Sequence, residues 1–263
     1  MTTIEILGCN ATAPARTGAA SGYLVRDGDG AVLVDAGPGS LLSFSRTHEL
    51  SELTGIVVTH LHADHSLDLM AWAYRWTFPD VLPRIPLYLP AEELDRLRRF
   101  DELFGIPSLP TMVSPIHTAF EVRGLDLDGR VPVGLGGWTV TPHRASHSVP
   151  SAALRFAGPT GIVAFSSDTG PCAAVIDAAT DADVFVCEST VITGDEEMIH
   201  GHGHLTAELA AVTATRAGAR HLVLTHFARP EEAEEMGAIA ARHFDGPVTV
   251  AREGLVVRGA TPA

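Results

Sequence analysis

The residues with the clearest potential for chemistry form a histidine-rich cluster in the first quarter of the chain. His60, His62 and His65 stand beside Asp64 in the string Thr-His-Leu-His-Ala-Asp-His. The string follows an apolar run at residues 55–59, which predicts a buried strand. Neutral imidazole is a good zinc ligand, and a carboxylate is a hard ligand for the same ion. Three imidazoles and a carboxylate at the rigid end of a strand therefore predict a metal site.

The rest of the chain must supply the elements that position this cluster. Short runs rich in Val, Ile and Leu recur along its length, and several stop at a polar residue, as buried strands do. These runs predict strands at residues 3–7, 22–26, 31–35, 55–59, 85–89, 137–142, 152–156, 162–166, 184–187, 221–225 and 248–250. Helical patterns lie between them at residues 38–47, 66–76, 91–104, 171–178, 206–217 and 231–243. This alternation predicts the α/β class. No repeat or linker divides the chain, so residues 1–263 are expected to form one domain.

The string His-x-His-x-Asp-His resembles the signature of the metallo-β-lactamase superfamily, and the resemblance extends over nearly the whole chain. That family stacks two β-sheets between helices, with metals at the loops along one edge. The resemblance therefore implies a four-layer αββα sandwich. Asp35, in Val-Asp-Ala-Gly-Pro-Gly, is similar to the aspartate of the family's first motif. It is expected to hydrogen-bond just behind the metal ligands.

The resemblance also implies a third histidine for the first metal. His147, in Ser-His-Ser-Val-Pro-Ser, is similar to the histidine of the family's third motif and would complete a site with His60 and His62. His143, four residues earlier, is the competitor. The proline and the strand that follow favour His147.

Two further residues resemble ligands at the ends of later strands. Asp168, in Ser-Ser-Asp-Thr-Gly, is similar to the carboxylate that bridges both metals, although Ser167 stands where the family usually has glycine. His226, in Leu-Thr-His-Phe, is similar to the last ligand and would join Asp64 and His65 around the second metal. The implied cofactors are two divalent ions. Zinc is expected, and manganese and iron are the alternatives because histidine and carboxylate suit all three.

The second half of the chain indicates a branch of the superfamily. Position 62 is His, where the di-iron flavoproteins of this fold have Glu, and Asp168 stands where many lactamases have Cys. The strings Cys-Glu-Ser-Thr at Glu188 and His-Leu-Thr at His204 resemble motifs of the phosphodiesterase branch that contains ribonuclease Z. The resemblance implies that Glu188 orients His204 near the phosphate, as an acid or a charge-stabilising group. Asp64 is expected to be essential for catalysis as well.

A glycine-rich loop just before His204 leaves a question open. His200 and His202 lie in the string His-Gly-His-Gly-His. They could contact substrate, bind metal adventitiously or do neither.

Two observations argue against a large RNA substrate. Bacterial tRNA-processing members of the ribonuclease Z family carry a long arm between the third-motif histidine and the bridging aspartate. Here the predicted strands 152–156 and 162–166 fill the interval between His147 and Asp168, which leaves no room for an arm. The net charge is -14, from 32 acidic and 18 basic residues, and such a surface repels nucleic acid. A small phosphodiester is therefore a more suitable substrate than RNA.

The predicted function is hydrolysis of a phosphodiester by water that two divalent ions activate. A cyclic nucleotide is the leading example, because the strings Ile-Leu-Gly-Cys-Asn and Ala-Ser-Gly-Tyr-Leu in the first 24 residues are similar to an actinobacterial group of atypical cyclic-nucleotide phosphodiesterases. Three alternatives stay open. They are a ribonuclease Z-type endonuclease for tRNA 3' ends that lacks the arm, a hydrolase of an ester, thioester or lactone, and a metal-binding regulator without turnover.

The remaining expectations concern location and assembly. The three cysteines form no C-x-x-C pair, so neither a disulfide framework nor a cysteine zinc site is expected. The first residues do not resemble a signal peptide, and no apolar stretch approaches the ~20 residues of a membrane span. A soluble, cytoplasmic protein without a membrane partner is expected. A homodimer through the helix at residues 67–78 is the alternative to ordinary core packing of Trp72, Tyr74 and Trp76.

Overall fold

The structure is a computed structural model that describes residues 1–259. The strands of these residues are β1 (Thr3–Asn10), β2 (Ala19–Ala20), β3 (Gly22–Asp27), β4 (Gly30–Val34), β5 (Gly55–Val57), β6 (Ile85–Pro90), β7 (Phe120–Leu125), β8 (Val133–Leu135), β9 (Trp138–Arg144), β10 (Ala152–Gly158), β11 (Gly161–Phe165), β12 (Val184–Glu188), β13 (Leu222–Thr225), β14 (Val248–Val250) and β15 (Val256–Arg258). The α-helices are α1 (Ser40–Phe44), α2 (Ala63–Ser66), α3 (Asp68–Thr77), α4 (Leu94–Leu103), α5 (Pro115–Ala119), α6 (Ala173–Ala179), α7 (Ala207–Ala217) and α8 (Ala233–Ala240). A π-helical segment covers Glu197–His202.

Residues 1–259 form two sheets of mixed strand direction. The first has the order β15-β1-β3-β4-β5-β6-β7, with β2 beside β1, and the second has the order β14-β13-β12-β11-β10-β9-β8. Strands β4 to β7 run parallel in the first sheet, and β11 to β14 run parallel in the second. Because parallel strands end at the same edge of a sheet, each half of the chain gathers its strand-end loops along one line.

The layers follow from side chains that alternate between the two faces of each strand. Val25 and Val34 of the first sheet belong to the same buried core as Phe156 of the second. The opposite face of the first sheet packs against α1 and α3, where Trp72 and Trp76 are buried. Helices α6 and α7 cover the outer face of the second sheet. This is the αββα sandwich, so the predicted fold is confirmed.

Some elements differ from the sequence-based expectations. The strand expected at residues 55–59 ends at Val57, and the helix expected at residues 231–243 is a 3-10 turn, Pro230–Glu232, followed by α8. Strands β2, β7, β8 and β15 are additional. β7 lies at a sheet edge and reads Phe-Glu-Val-Arg-Gly-Leu, so it has no continuous apolar run.

Trp72 and Trp76 of α3 serve the core, as ordinary packing predicts. Among residues 1–259, no helix has the length and apolar character that crossing a membrane requires.

Candidate metal centre

The seven expected metal ligands all follow strand ends along one edge of the sandwich. His60 and His62 come after β5, and Asp64 and His65 lie in the short helix α2 that follows. The second sheet supplies the rest, with one ligand after each of β9, β11 and β13, namely His147, Asp168 and His226. The candidate centre is therefore built where the two sheets meet.

Three residues at this edge adopt the left-handed backbone region. Asp35, Ser167 and His226 have φ of 61°, 55° and 62° and follow β4, β11 and β13. The conformation turns the chain sharply at the strand end, and for residues other than glycine it costs on the order of 1 kcal/mol. Ser167 thus adopts the backbone that the usual glycine would favour, so the loop keeps its geometry without that glycine.

The first group of ligands consists of His60, His62, His147 and Asp168, whose ligand atoms all lie within 4.8 Å of one another. The Nδ1 atom of His62 is 3.1 Å from Nε2 of His147. The Nε2 atom of His60 is 3.7 Å from Oδ2 of Asp168. The group is largely buried, so water cannot easily satisfy these atoms.

The second group consists of Asp64, His65 and His226, which meet the same distance criterion. The Nε2 atoms of His65 and His226 are 3.1 Å apart, and Nε2 of His226 is 3.3 Å from Oδ2 of Asp64. Each imidazole therefore directs the same ring nitrogen toward a common point.

Asp168 stands between the two groups. Its Oδ2 atom faces the first group, 3.7 Å from His60 and 3.9 Å from His147. Its Oδ1 atom faces the second, 3.2 Å from His65 and 3.3 Å from His226. One carboxylate thus presents a different oxygen to each group, which is the arrangement a bridging ligand needs.

The donor set fits a divalent metal. His60 Nε2 and Asp168 Oδ1 are buried and have no partner with hydrogen-bond geometry, although two imidazole nitrogens lie 3.2 and 3.3 Å from Asp168 Oδ1. Leaving a buried polar atom unpaired costs about 1–3 kcal/mol, so such atoms call for a ligand. The electrostatics agree. Burial lowers the pKa of His60, which keeps this imidazole neutral for metal binding. Burial also lowers the pKa of His65, but Asp168 and Asp35 outweigh it and raise that pKa, so the cluster favours a positive charge.

The ligands are held from behind through their other ring nitrogen. His65 donates from Nδ1 to Oδ2 of Asp35 over 2.7 Å. His147 lies with Nδ1 3.1 Å from the carbonyl oxygen of Gly203. A ring nitrogen that donates backward leaves the opposite nitrogen free to bind metal. Asp35 therefore lies where the resemblance to the first motif implies.

Buried Glu188 and half-buried His204 form a pair beside the second group. Nδ1 of His204 is 3.2 Å from Oε1 of Glu188, which also accepts from the backbone nitrogen of Thr169 over 2.6 Å. The ring of His204 stacks on that of His226, with 5.9 Å between centroids. Burial lowers the pKa of His204, but the hydrogen bond and charge of Glu188 outweigh it and raise the pKa to about 9. Glu188 thus favours the protonated form of His204 beside the candidate metal centre.

Three histidines that the sequence analysis considered lie outside the cluster. His143 is buried on β9 and has no hydrogen-bond partner at either ring nitrogen, but it is not among the grouped ligand atoms. His147, the other candidate, is the third histidine of the first group. His200 and His202 are exposed in the π-helical segment and lie 3.8 Å from Glu196, just before it, and 3.7 Å from Glu197.

The π-helical segment is the part of the site that the sequence did not predict. A Cβ on Gly170 would lie 2.4 Å from the carbonyl oxygen of Ile199, and one on Gly203 would lie 2.2 Å from that of Ser146. The segment therefore rests directly on the loops that carry Asp168 and His147. The glycines were the only available signal in the sequence.

Comparisons with known proteins identify the family of this chain. A family model described as a beta-lactamase superfamily domain matches residues 31–227. A ribonuclease Z of Streptomyces coelicolor is 33% identical over 292 residues, which covers 95% of each chain. An uncharacterized protein of Mycobacterium leprae is 32% identical over 250 residues, covering 93% of this chain and 84% of that protein. The metallo-beta-lactamase fold protein YhfI from Bacillus subtilis has a TM-score of 0.85 at 23% identity, covering 98% of this chain and 99% of that one.

The chain therefore belongs to the β-lactamase superfamily of hydrolases, within its ribonuclease Z-like branch. The predicted family is confirmed. The alignment with the Streptomyces ribonuclease Z spans 292 positions, more than the 263 residues of this chain. That relative thus carries insertions that this chain lacks.

Proposed function

We propose that this chain is a phosphodiesterase that binds two divalent ions, with zinc expected, and hydrolyses a small phosphodiester such as a cyclic nucleotide. The Glu188–His204 pair next to Asp168 is the observation that carries the proposal. Hydrolysis of an ester, thioester or lactone would give this pair no evident task.

The chemistry divides between the ions and the chain. When bound, two divalent ions would lower the pKa of a water molecule and polarise a phosphoryl oxygen. His60, His62 and His147 would hold one, Asp64, His65 and His226 the other, and Asp168 would contact both. Glu188 accepts the Nδ1 proton of His204, so the Nε2 proton of this imidazolium is available to the substrate. It would offset charge on the phosphorane-like transition state or protonate the leaving oxygen.

The preference for a small substrate is supported by the second sheet. Between His147 and Asp168 the structure has only the antiparallel pair β10 and β11, with register from Leu154–Phe165 to Gly158–Gly161. No arm extends from this hairpin, whose turn lies at Pro159 and Thr160. The net charge of -14 also opposes binding of a polyanion.

A His204→Asn variant tests the role of the pair. We expect turnover of bis(p-nitrophenyl) phosphate to fall by about 100- to 10,000-fold, the usual contribution of a positioned acid. In this proposal His204 is not a metal ligand, although its ring groups with Asp168 and His226, so metal content should stay at the wild-type level. The exposed His243→Asn is the matched control and should keep full activity. Full activity of His204→Asn would contradict the role proposed for this residue.

A substrate panel on one metal-loaded sample tests the proposed class. It contains cyclic nucleotides, precursor tRNA, bis(p-nitrophenyl) phosphate and a thioester. Ribonuclease Z-type processing is the second candidate function, because the Streptomyces relative bears that name. Cleavage of precursor tRNA that disappears in Asp64→Ala would establish that alternative. Metal binding without hydrolysis of any member of the panel would indicate a regulator.

A further inference from the structure

Two buried threonines occupy equivalent positions on opposite sides of the metal centre. The hydroxyl of Thr190 donates to Oε2 of Glu188, and its oxygen is 2.9 Å from Nδ1 of His226 and 3.3 Å from Nδ1 of His204. The hydroxyl of Thr59 donates to Oδ2 of Asp35 over 3.0 Å, and its oxygen is 3.2 Å from Nδ1 of His60. Each threonine therefore lies between a buried carboxylate and a candidate metal ligand.

The number of protons fixes the direction of these hydrogen bonds. A hydroxyl has one proton, and an ionised carboxylate only accepts. Because the proton of Thr190 goes to Glu188, the oxygen of Thr190 can only accept from His226. The proton of His226 is thereby held at Nδ1, and its Nε2 lone pair points to Asp64 and Asp168.

Thr59 fixes the proton of His60 in the first group in the same way. The proton of Thr59 goes to Asp35, so its oxygen accepts from Nδ1 of His60. The Nε2 atom of His60 then carries a lone pair instead of a proton. It is one of the buried atoms without a hydrogen-bond partner. The independent observation of that orphaned nitrogen agrees with the tautomer that Thr59 imposes.

We propose that Thr59 and Thr190 are positioning residues that each fix the tautomer of one metal ligand. Asp35 and Glu188 thus each hold two histidines, one directly and one through a threonine. For Asp35 these are His65 and His60. For Glu188 they are His204 and His226, so one buried carboxylate supports both a metal ligand and the proposed acid. Only this last link rests on the proposed function.

Thr225 shows that a threonine beside a ligand need not have this role. It directly precedes His226, but its hydroxyl pairs with the hydroxyl of Tyr23 at 2.8 Å in the core between the sheets. Thr225→Val therefore removes a buried hydroxyl at the same strand end without touching an imidazole. It is the matched control for a purely structural effect.

Zinc titration of the metal-free protein by calorimetry is the deciding experiment. We expect Thr190→Val to weaken one of the two zinc sites by about 10- to 100-fold, as loss of such supporting contacts usually does. Thr59→Val should weaken the other. Thr190→Ser and Thr59→Ser should restore binding, because serine keeps the hydroxyl. Thr225→Val should bind both ions as the wild type does.

An Asp64→Ala background assigns each effect to its site. Asp64 belongs to the second group only, so this background leaves the first group intact. In this background, Thr59→Val should still weaken binding of the remaining zinc ion, whereas Thr190→Val should not. Equal losses in Thr190→Val and Thr225→Val, or serine variants that do not recover, would overturn the proposal. Circular dichroism melting curves verify that each variant is folded.

Turnover adds a test of the link to His204. At saturating zinc, Thr190→Val should lower kcat for bis(p-nitrophenyl) phosphate with little change in KM, and Thr190→Ser should recover it. An unchanged kcat would contradict the link between Thr190 and His204, but the conclusion from zinc binding would still hold. If the wild type hydrolyses no phosphodiester, the titration still decides whether the threonines position the ligands.

Discussion

Ser167 has a left-handed backbone directly before the residue that faces both ligand groups. Its φ is 55°, and its hydroxyl is 2.8 Å from that of Ser151. A β-branched side chain is poorly tolerated in this region. We expect Ser167→Val to destabilise the fold by about 1–3 kcal/mol and to displace Asp168. Ser167→Gly should be stable to within about 1 kcal/mol, because glycine adopts this φ freely. Urea unfolding measures the stability of both variants. Equal stability would contradict the left-handed backbone of Ser167.

His143 gives a prediction about pH. Burial lowers the pKa of this imidazole, helped by Arg130 and Arg155 and opposed by Asp177. A histidine whose pKa is lowered by folding contributes stability above its unfolded pKa of about 6.5, and that stability is lost as the pH falls below it. In His143→Leu the free energy of unfolding should therefore decrease less steeply from pH 7 to 5. The difference in slope should reach at most about 1.4 kcal/mol per pH unit.

Urea unfolding of the wild type and the variant at several pH values measures this difference. The exposed His243→Asn is the control, and its curve should parallel the wild type. Parallel curves for His143→Leu as well would show that the buried imidazole does not contribute. Metal must be removed from all samples. Otherwise competition between protons and metal at the ligands would add to the pH dependence of the free energy of unfolding.

Among the elements, the π-helical segment Glu197–His202 packs directly against two of the loops that carry expected metal ligands. Gly203 ends it with φ of 79°, and a Cβ there would lie 2.2 Å from the Ser146 carbonyl oxygen. We expect Gly203→Ala to push the segment away, to remove the support of His147 and to weaken zinc binding by about 10-fold or more. Gly201→Ala is the control, because its Cβ would meet only the flexible end of Glu197. Similar zinc affinity in both variants would refute this role of the segment.

Some elements can be predicted from the sequence because their signals are local. The apolar strand at residues 221–225 stops at His226, and the one at residues 162–166 stops two residues before Asp168, so the edge of the site is visible from single runs. The π-helical segment is not visible, because it depends on contacts with Gly170 and with the loop at Ser146. Edge strand β7 is also not predicted, because its exposed side chains interrupt the apolar pattern.

The supporting hydrogen bonds are the part of the site that sequence patterns cannot give. Thr190 and His226 are 36 residues apart, and Thr59 and Asp35 are 24 apart. Only the packing of neighbouring strands brings them together. A resemblance to a family identifies the ligands, whereas the direction of each proton requires the positions of both partners.

At the scale of the whole molecule, the charge of -14 makes a prediction about ionic strength. Salt shortens the screening length from about 30 Å at 0.01 M to about 8 Å at 0.15 M. For a small anionic phosphodiester, kcat/KM should therefore rise severalfold over this range, because repulsion by the protein weakens. Steady-state kinetics at constant pH measures it. A steep fall with salt would instead indicate a local basic surface and favour the RNA alternative.

Both candidate metal sites draw ligands from both halves of the chain. Asp64 and His226, which meet in the second group, are 162 residues apart. During synthesis, the ribosome must therefore add 162 residues after Asp64 before the last of these ligands is made. Until then Asp64 and His65 lack this partner, so the second site can form only after His226 has been synthesised. Loading of the second ion would thus be a late step of maturation, after the segments that carry its ligands have met.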